Sequence, residues 1–278
     1  MILYKYCSPE RLDILQNCQV RFTQPNKFND PFELLPSYTD KVSSEYAFMN
    51  WGEGIDKSYR ELRMAGFNLP ALDKFEESKN TSKEKILNRL STDPYYANLM
   101  LWGSVYPLFS SIFVGVLCLT EKPNNLLMWS HYASSCKGFV IGFDTTNNWF
   151  NGNTGHNGLY TIQKVKYDDK RPSEKLDEAI FAKGKDWSYE EEWRIISAVH
   201  DCTQVSDGSD IFVKNFPMDS VVSLIIGCKM RSKDRIELLK QSKKFPNAEL
   251  YRSYPDPRKY EMEIYPYDES YQLPTTLE

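Results

Sequence analysis

The chain has 278 residues, 41% hydrophobic and 26% charged, which is typical of a globular protein whose core needs no disulfide or metal to fold. A formal net charge of −4 argues against general nucleic-acid binding, which usually needs a basic face. No run approaches the roughly 18 apolar residues of a membrane span, and the short polar start does not suit a signal peptide. We therefore expect a cytoplasmic protein that does not contact the membrane.

The cysteine and histidine positions bear on redox state and metal binding. The six cysteines include no Cys-x-x-Cys pair, and several lie in apolar runs, so we interpret them as buried free thiols in a reducing compartment. The three histidines are far apart in the chain. The sequence therefore predicts no histidine-based metal site, while a carboxylate site for Mg²⁺ stays open.

The first elements are short. A strand is predicted at residues 2–6, and a helix begins at Ser8, with Pro9 suited to its first position. A second strand follows at residues 20–23. The segment 28–33 holds two phenylalanines and a proline and predicts an irregular, rigid loop. Residues 38–107 are polar with helical spacing, and we interpret them as a helical insertion or lid within a single domain, 1–278.

Further elements follow this segment in chain order. Apolar stretches predict strands at residues 112–119, 139–144, 192–199, 221–226 and 248–252, and an interrupted strand at 160–167. Helices are predicted at residues 125–133, 173–183 and 232–244, with Gly184 ending the second of them. Strands and helices mix without regular βαβ alternation, so the fold class is α+β, with a compact mixed sheet and flanking helices.

Three segments could carry chemistry. In the loop, either Phe28 and Phe32 fill the core while Asn29 and Asp30 bond to the local backbone, or a rigid loop points Asn29, Asp30 or Glu33 into a cleft. In the second segment, His131 is either a structural residue or a general acid or base, since its ordinary pKa lies near neutrality. Its neighbours Trp129 and Tyr132 could stack on a planar ligand.

The third segment is rich in glutamate. If residues 190–194 are extended, Glu190, Glu192 and Arg194 share one face. They form either a surface ladder of weak ion pairs or a catalytic carboxylate that Arg194 positions beside a polar ligand.

These segments together resemble the uncharacterised bacterial family known as domain of unknown function 2971. The family pattern has an opening Leu-Tyr-Lys-Tyr strand, found here at residues 3–6, and an Arg-Phe…Phe-Asn-Asp-Pro-Phe-Glu segment, found at 21–33. Met-Trp-x-His-Tyr-Ala and Gly-x-x-x-Gly-Phe-Asp follow at 128–133 and 138–144, and Trp-x-Tyr-Glu-x-Glu-Trp-Arg at 187–194. The family label implies no activity.

At the level of the fold, the chain also resembles ADP-ribosyltransferases. These have a split sheet, aromatic residues around nicotinamide and a late strand glutamate, often within Glu-x-Glu, as at residues 190–192. The resemblance implies that Glu192 stabilises the oxocarbenium ion as nicotinamide leaves the ribose. Such enzymes usually carry Arg or His on the first strand, where this chain has Lys5, so Arg21 or His131 would have to substitute.

The resulting expectation is an enzyme acting on NAD or another nucleotide, by ADP-ribosyl transfer or glycosidic cleavage. Family context suggests a bacterial defence or toxin-like effector. The candidate catalytic residues are Glu192, His131 and Glu190. The candidate substrate-binding residues are Tyr6, Arg21, Asn29, Asp30, Trp129, Tyr132 and Arg194.

Two alternatives stay open. One is a non-catalytic module that senses a ligand in the same pocket. The other is an Mg²⁺-dependent nuclease using Asp30, Glu33, Asp144, Glu190 and Glu192, although Glu192-x-Arg194 lacks the lysine that nuclease cores commonly use after their paired acids. Every hypothesis requires that segments far apart in the chain meet in one cleft.

Overall fold

The computed structural model describes residues 1–34, 114–151, 162–172 and 176–270. The chain divides into two compact units. One comprises Met1–Glu33, Ser111–Asp169 and Phe181–Glu278, and the other comprises Leu34–Ser110 and Lys170–Ile180. The insertion predicted at 38–107 lies outside the described residues.

The described residues form both strands and helices, which confirms the α+β class. The strands are β1 (Ile2–Cys7), β2 (Gln19–Arg21), β3 (Val114–Thr120), β4 (Phe139–Asp144), β5 (Gln163–Lys164), β6 (Lys166–Asp168), β7 (Ala182–Gly184), β8 (Glu192–Ala198), β9 (Thr203–Gln204), β10 (Phe212–Asn215), β11 (Val221–Ile226), β12 (Glu249–Pro255) and β13 (Met262–Pro266). The α-helices are α1 (Asp13–Asn17), α2 (Leu126–Tyr132), α3 (Leu176–Ile180) and α4 (Ser232–Ser242). No helix among the described residues is both long and apolar enough to cross a membrane.

The largest sheet has eight strands in the order β13-β12-β11-β4-β1-β3-β8-β5. All neighbours in it are antiparallel except β11 and β12, which are parallel, so the sheet is mixed, as predicted. The central strand β4 is buried on both faces over nearly its whole length. This double burial explains why its sequence is almost continuously apolar instead of alternating.

Near the centre of the sheet, two neighbouring strands pair through only one residue each. Strand β1 pairs with β4 along all six of its residues, but with β3 only through Tyr4 and Thr120. Beyond that pair β1 and β3 separate, and the ammonium of Lys5 reaches across to the carbonyl of Cys118 at 3.3 Å. Five strands therefore lie on one side of this opening and three on the other.

Two apolar clusters pack on the sheet. The larger one contains Leu3, Leu15 and Phe139 and includes residues of α1 and α4. The smaller one joins Tyr6 of β1 to α2 through Met128 and Trp129. Because side chains alternate along a strand, β1 contributes to both clusters and is fixed on both of its faces.

The two glycines of the Gly-x-x-x-Gly segment lie where other segments of the chain approach closely. A Cβ added to Gly138 would lie 1.9 Å from the carbonyl oxygen of Cys7, and one added to Gly142 would lie 2.1 Å from Ser223 Oγ. Both distances are impossible for a real side chain. These glycines therefore let β4 pack tightly against β1 and β11.

Two local predictions were wrong. The helix predicted at 173–183 ends at Ile180, and Lys183 and Gly184 belong to strand β7, which pairs with β6. Glu190 ends a 3₁₀ helix, Lys185–Glu190, and is not extended. In both places a tertiary contact overrides the local sequence preference, because Lys183 and Glu190 form a buried ion pair.

Candidate active site

A cavity of about 340 Å³ opens where β1 and β3 separate. The described residues that line it are Tyr4, Lys5, Tyr6, Thr23, Lys27, Phe28, Asn29, Cys118, Leu119, Thr120, Met128, Tyr132, Lys183, Glu190 and Glu192. They include residues of all three segments that the sequence singled out. Aromatic rings and charged groups thus share one hollow, a combination typical of small-molecule sites.

A buried cluster of five charged residues forms one side of the site. It comprises Glu33, Lys183, Glu190, Glu192 and Arg194, all of them buried. The ammonium of Lys183 lies 2.6 Å from Glu190 Oε2 and 3.3 Å from Glu192 Oε2. Arg194 donates to both oxygens of Glu192, from Nε and Nη2 at 2.9 Å each, and its Nη2 lies 2.7 Å from Glu33 Oε1. The surface-ladder interpretation of the glutamates is therefore wrong.

The backbone explains how two glutamates separated by one residue reach the same lysine. Glu190 ends the 3₁₀ helix, and Glu191 adopts a left-handed conformation with φ of 42°. Strand β8 then begins at Glu192, so Arg194 lies on the same strand face as Glu192. Glu191 points elsewhere and pairs with Lys122 at the surface.

The cluster sets the ionisation of its members. Burial opposes the charge of Glu192, but Arg194 and Lys183 outweigh it and lower the pKa of Glu192 from 4.5 to about 2. Burial likewise opposes the charge of Lys183, yet the neighbouring carboxylates raise the pKa of Lys183 above its ordinary value. Burial raises the pKa of Glu33 despite Arg194. With all groups ionised, three carboxylates and two cations give the cluster a formal charge of −1.

Three tyrosines lie beside this cluster or in the cavity lining. The hydroxyl of Tyr132 donates to Glu190 Oε1 at 2.6 Å, and burial followed by the charge of Glu190 raises the pKa of Tyr132. The hydroxyl of Tyr167 accepts the backbone N–H of Glu192 at 2.8 Å. Tyr6 also lines the cavity and donates its hydroxyl to the carbonyl of Lys122 at 2.9 Å.

Five of the predicted site residues line the cavity: Tyr6, Asn29, Tyr132, Glu190 and Glu192. Arg194 belongs to the same site but is fully buried and holds Glu192 and Glu33 in place. The loop contributes in an unexpected way. Phe28 lies over the guanidinium of Arg194 at 6.0 Å, whereas Phe32 is 62% exposed and does not fill the core.

Trp129 and Asp30 are structural and do not face the cavity. Trp129 is fully buried, and its indole N–H donates to the carbonyl of Pro123 at 2.8 Å, so its ring is not free to stack on a ligand. Asp30 is buried and accepts the backbone N–H of Phe32 at 2.9 Å. The expectation that either residue contacts a substrate is corrected by these positions.

Arg21 and His131 also lie away from the cavity lining. Arg21 is half-buried on β2, and His131 is exposed on α2, with its ring 6.4 Å from that of Tyr189. Lys5, for which these two residues were expected to substitute, does line the cavity. The first strand thus supplies its own cation to the site.

Sequence reasoning missed Lys183 as a site residue, and it named Glu33 only as a loop residue that could point into a cleft and as a nuclease ligand. A signal for Lys183 existed, because it is the one charged residue in the otherwise apolar run Ala179 to Gly184. A lysine in such a run lies either at the end of the helix or strand, where its ammonium reaches water, or in the interior, where it is paired with a carboxylate. Glu33 gave no comparable signal, since its loop has no periodicity.

The fold and site define an α+β protein with an aromatic and charged cavity at the opening in its sheet. Residues 128–195 match the model of a family described as "Protein of unknown function (DUF2971)". This match confirms the resemblance to that family, and the matched segment contains most of α2 together with Lys183, Glu190 and Glu192. No curated protein and no solved structure matches the chain.

Proposed function

We propose that the cavity binds NAD or a related nucleotide and that the protein cleaves its glycosidic bond, with release of nicotinamide or transfer of ADP-ribose. One observation carries this proposal: the carboxylates of Glu190 and Glu192 reach a cavity walled by Tyr4, Tyr6 and Phe28. Aromatic walls suit planar bases, and fixed carboxylates suit a reaction that develops positive charge on the ribose.

The distribution of charge supports the same class of ligand. The buried cluster has a formal charge of −1, which attracts a cationic ring or an oxocarbenium ion. Lys5 and Lys27 also line the cavity, and lysines commonly hold phosphates as point charges. A molecule that joins a cationic ring to a diphosphate fits both features.

The ion pairs favour Glu190 over Glu192 as the carboxylate that stabilises the transition state. Both oxygens of Glu192 accept from the guanidinium of Arg194, so most of its charge is already compensated. Glu190 accepts from Lys183 and from the neutral hydroxyl of Tyr132. It therefore retains more negative charge for a ligand, while Glu192 and Arg194 hold Lys183 and the strand in place.

Nicotinamide release from NAD tests the proposal. Wild-type protein, Glu190→Gln, Glu192→Gln and the matched control Glu191→Gln are incubated with NAD, and the products are separated by chromatography. We expect Glu191→Gln to act like wild type and Glu190→Gln to lose about a hundredfold in rate, the usual cost of removing one electrostatic stabiliser. His131→Asn is expected to retain activity, because His131 does not line the cavity. Equal release by wild type and Glu190→Gln would contradict the proposal.

A second candidate function is ligand sensing without catalysis. The observation that favours it is the complete internal pairing of the cluster, in which each carboxylate already has a cation within 4 Å. Calorimetric titration with NAD distinguishes the two. Binding that Tyr6→Ala weakens, together with no nicotinamide release, would support the sensor and exclude the glycosidic reaction.

A magnesium-dependent nuclease is the third candidate. The lysine missing after Glu192 in the sequence is supplied in space by Lys183, next to both glutamates. Within the residues that the structure describes, no three His, Cys, Asp or Glu side chains are placed to hold a metal ion. Nucleic-acid cleavage that requires Mg²⁺, is blocked by a chelator and is lost in Glu190→Gln would support this function.

A further inference from the structure

Two cysteines outside the cavity lie on backbone segments that contact each other directly. Cys136 follows α2, and Cys228 follows β11. The N–H of Lys229 donates to the carbonyl of Cys136 at 3.0 Å, and the N–H of Gly227 donates to the carbonyl of Gly138 at 2.9 Å. A Cβ on Gly227 would lie 2.3 Å from the Cys136 oxygen, so the two segments are in direct contact.

The two thiols differ in environment. Cys136 is buried and Cys228 is partly exposed. Interaction with the Cys136 thiol, with the charges of Lys229 and Arg252, lowers the pKa of Cys228 to about 7 although burial opposes this. Interaction with the Cys228 thiol, together with burial, raises the pKa of Cys136. Cys228 is therefore the nucleophilic thiol, and Cys136 is the neighbouring thiol that can resolve it.

The turn that carries Cys136 is strained. Ser134, Ser135 and Cys136 have φ values of 48°, 56° and 67°, so three successive residues with side chains adopt the left-handed conformation. Such a run is costly and persists only where its surroundings hold it. Its effect here is to present Cys136 to the end of β11.

We propose that Cys136 and Cys228 form a reversible disulfide when the protein meets a hydroperoxide. The thiolate of Cys228 attacks the terminal peroxide oxygen, the O–O bond breaks, and the leaving oxygen departs as water or alcohol after taking up a proton. Cys228 is then a sulfenic acid. The sulfur of Cys136 attacks it, the S–O bond breaks, and water leaves with the proton of the Cys136 thiol. Two thiols lose two electrons in total, and the peroxide gains them.

Mass spectrometry on the full chain tests this proposal. The protein is treated with hydrogen peroxide at neutral pH, alkylated under denaturing conditions and digested without reduction. We expect a peptide that links Cys136 to Cys228, lost after treatment with dithiothreitol, while Cys7 and Cys118 stay alkylated because burial raises the pKa of both thiols. The control Cys202→Ser should form the same link.

Two variants resolve the order of the steps. In Cys136→Ser the sulfenic acid of Cys228 has no resolving thiol, and we expect a dimedone adduct at Cys228. In Cys228→Ser, Cys136 should remain alkylated after peroxide. Complete alkylation of both cysteines in oxidised wild type, or overoxidation of Cys228 without a link, would overturn the proposal. The result is independent of nicotinamide release, so it does not depend on the proposed function.

Discussion

The ammonium of Lys183 and the carboxylate of Glu190 lie 2.6 Å apart, and each side chain is only 4% exposed. Neither charge could be buried alone, since the loss of hydration is compensated only when both are present. The pair brings β7 to the start of β8 and places Glu190 in the cavity. The site and the local fold therefore depend on the same contact.

Removing the charge of Lys183 should strongly destabilise the protein. In Lys183→Met, Glu190 and Glu192 would stay buried with less compensation, and we expect a loss of about 3–5 kcal/mol in the free energy of unfolding. Urea denaturation measures it. The control Lys185→Met alters a residue that is 67% exposed, where a change within about 0.5 kcal/mol is expected. Similar losses in both variants would contradict the buried cluster.

The contribution of Glu192 to stability should depend on pH. Because its pKa is lowered from 4.5 to about 2 in the folded state, the ionised form stabilises the fold above pH 4.5, by about 3 kcal/mol. This stabilisation is lost as the pH falls from 4.5 towards 2. The difference in unfolding free energy between wild type and Glu192→Gln should shrink over that range. A difference that stays constant from pH 7 to pH 3 would argue against this lowered pKa.

The hydrogen bond from Tyr132 to Glu190 should be measurable as a coupling energy. A double-mutant cycle of Tyr132→Phe and Glu190→Gln isolates the pair from the separate effects of each change. Because the acceptor is charged and buried, we expect a coupling of about 1–3 kcal/mol. Urea unfolding of the four proteins gives the value, and a coupling near zero would mean that Tyr132 does not hold Glu190.

Gly138 should not tolerate a side chain. In Gly138→Ala the new methyl group would meet the Cys7 carbonyl at 1.9 Å and push β1 away from β4, at a cost of at least about 1–3 kcal/mol. Thermal unfolding provides the measurement. Gly184→Ala is the matched control, because the nearest atom to its Cβ is 3.9 Å away. If the two alanine variants unfold at the same temperature, the close approach of β1 and β4 is not required.

Much of the fold was predictable because its signals are local. The apolar run of β4 was predicted with its observed bounds, 139–144, and the helix at 125–133 agrees with α2, whose first turn Asn125 caps through its side chain. Hydrophobic periodicity and capping residues act over a few positions, so the sequence contains what is needed. The edge strand β13, with its half-exposed pattern, was not predicted.

The candidate site was predictable only in part, because its residue types are visible in the sequence and their pairing is not. The sequence by itself determined an α+β fold and marked Glu190, Glu192, Tyr132 and Tyr6 as residues worth attention. Only the tertiary structure decided that Lys183 joins them and that Trp129 is buried away from the cavity. The physical reason is that the charges of this cluster can be buried only together, each compensated by another, and the sequence does not show which charges pair.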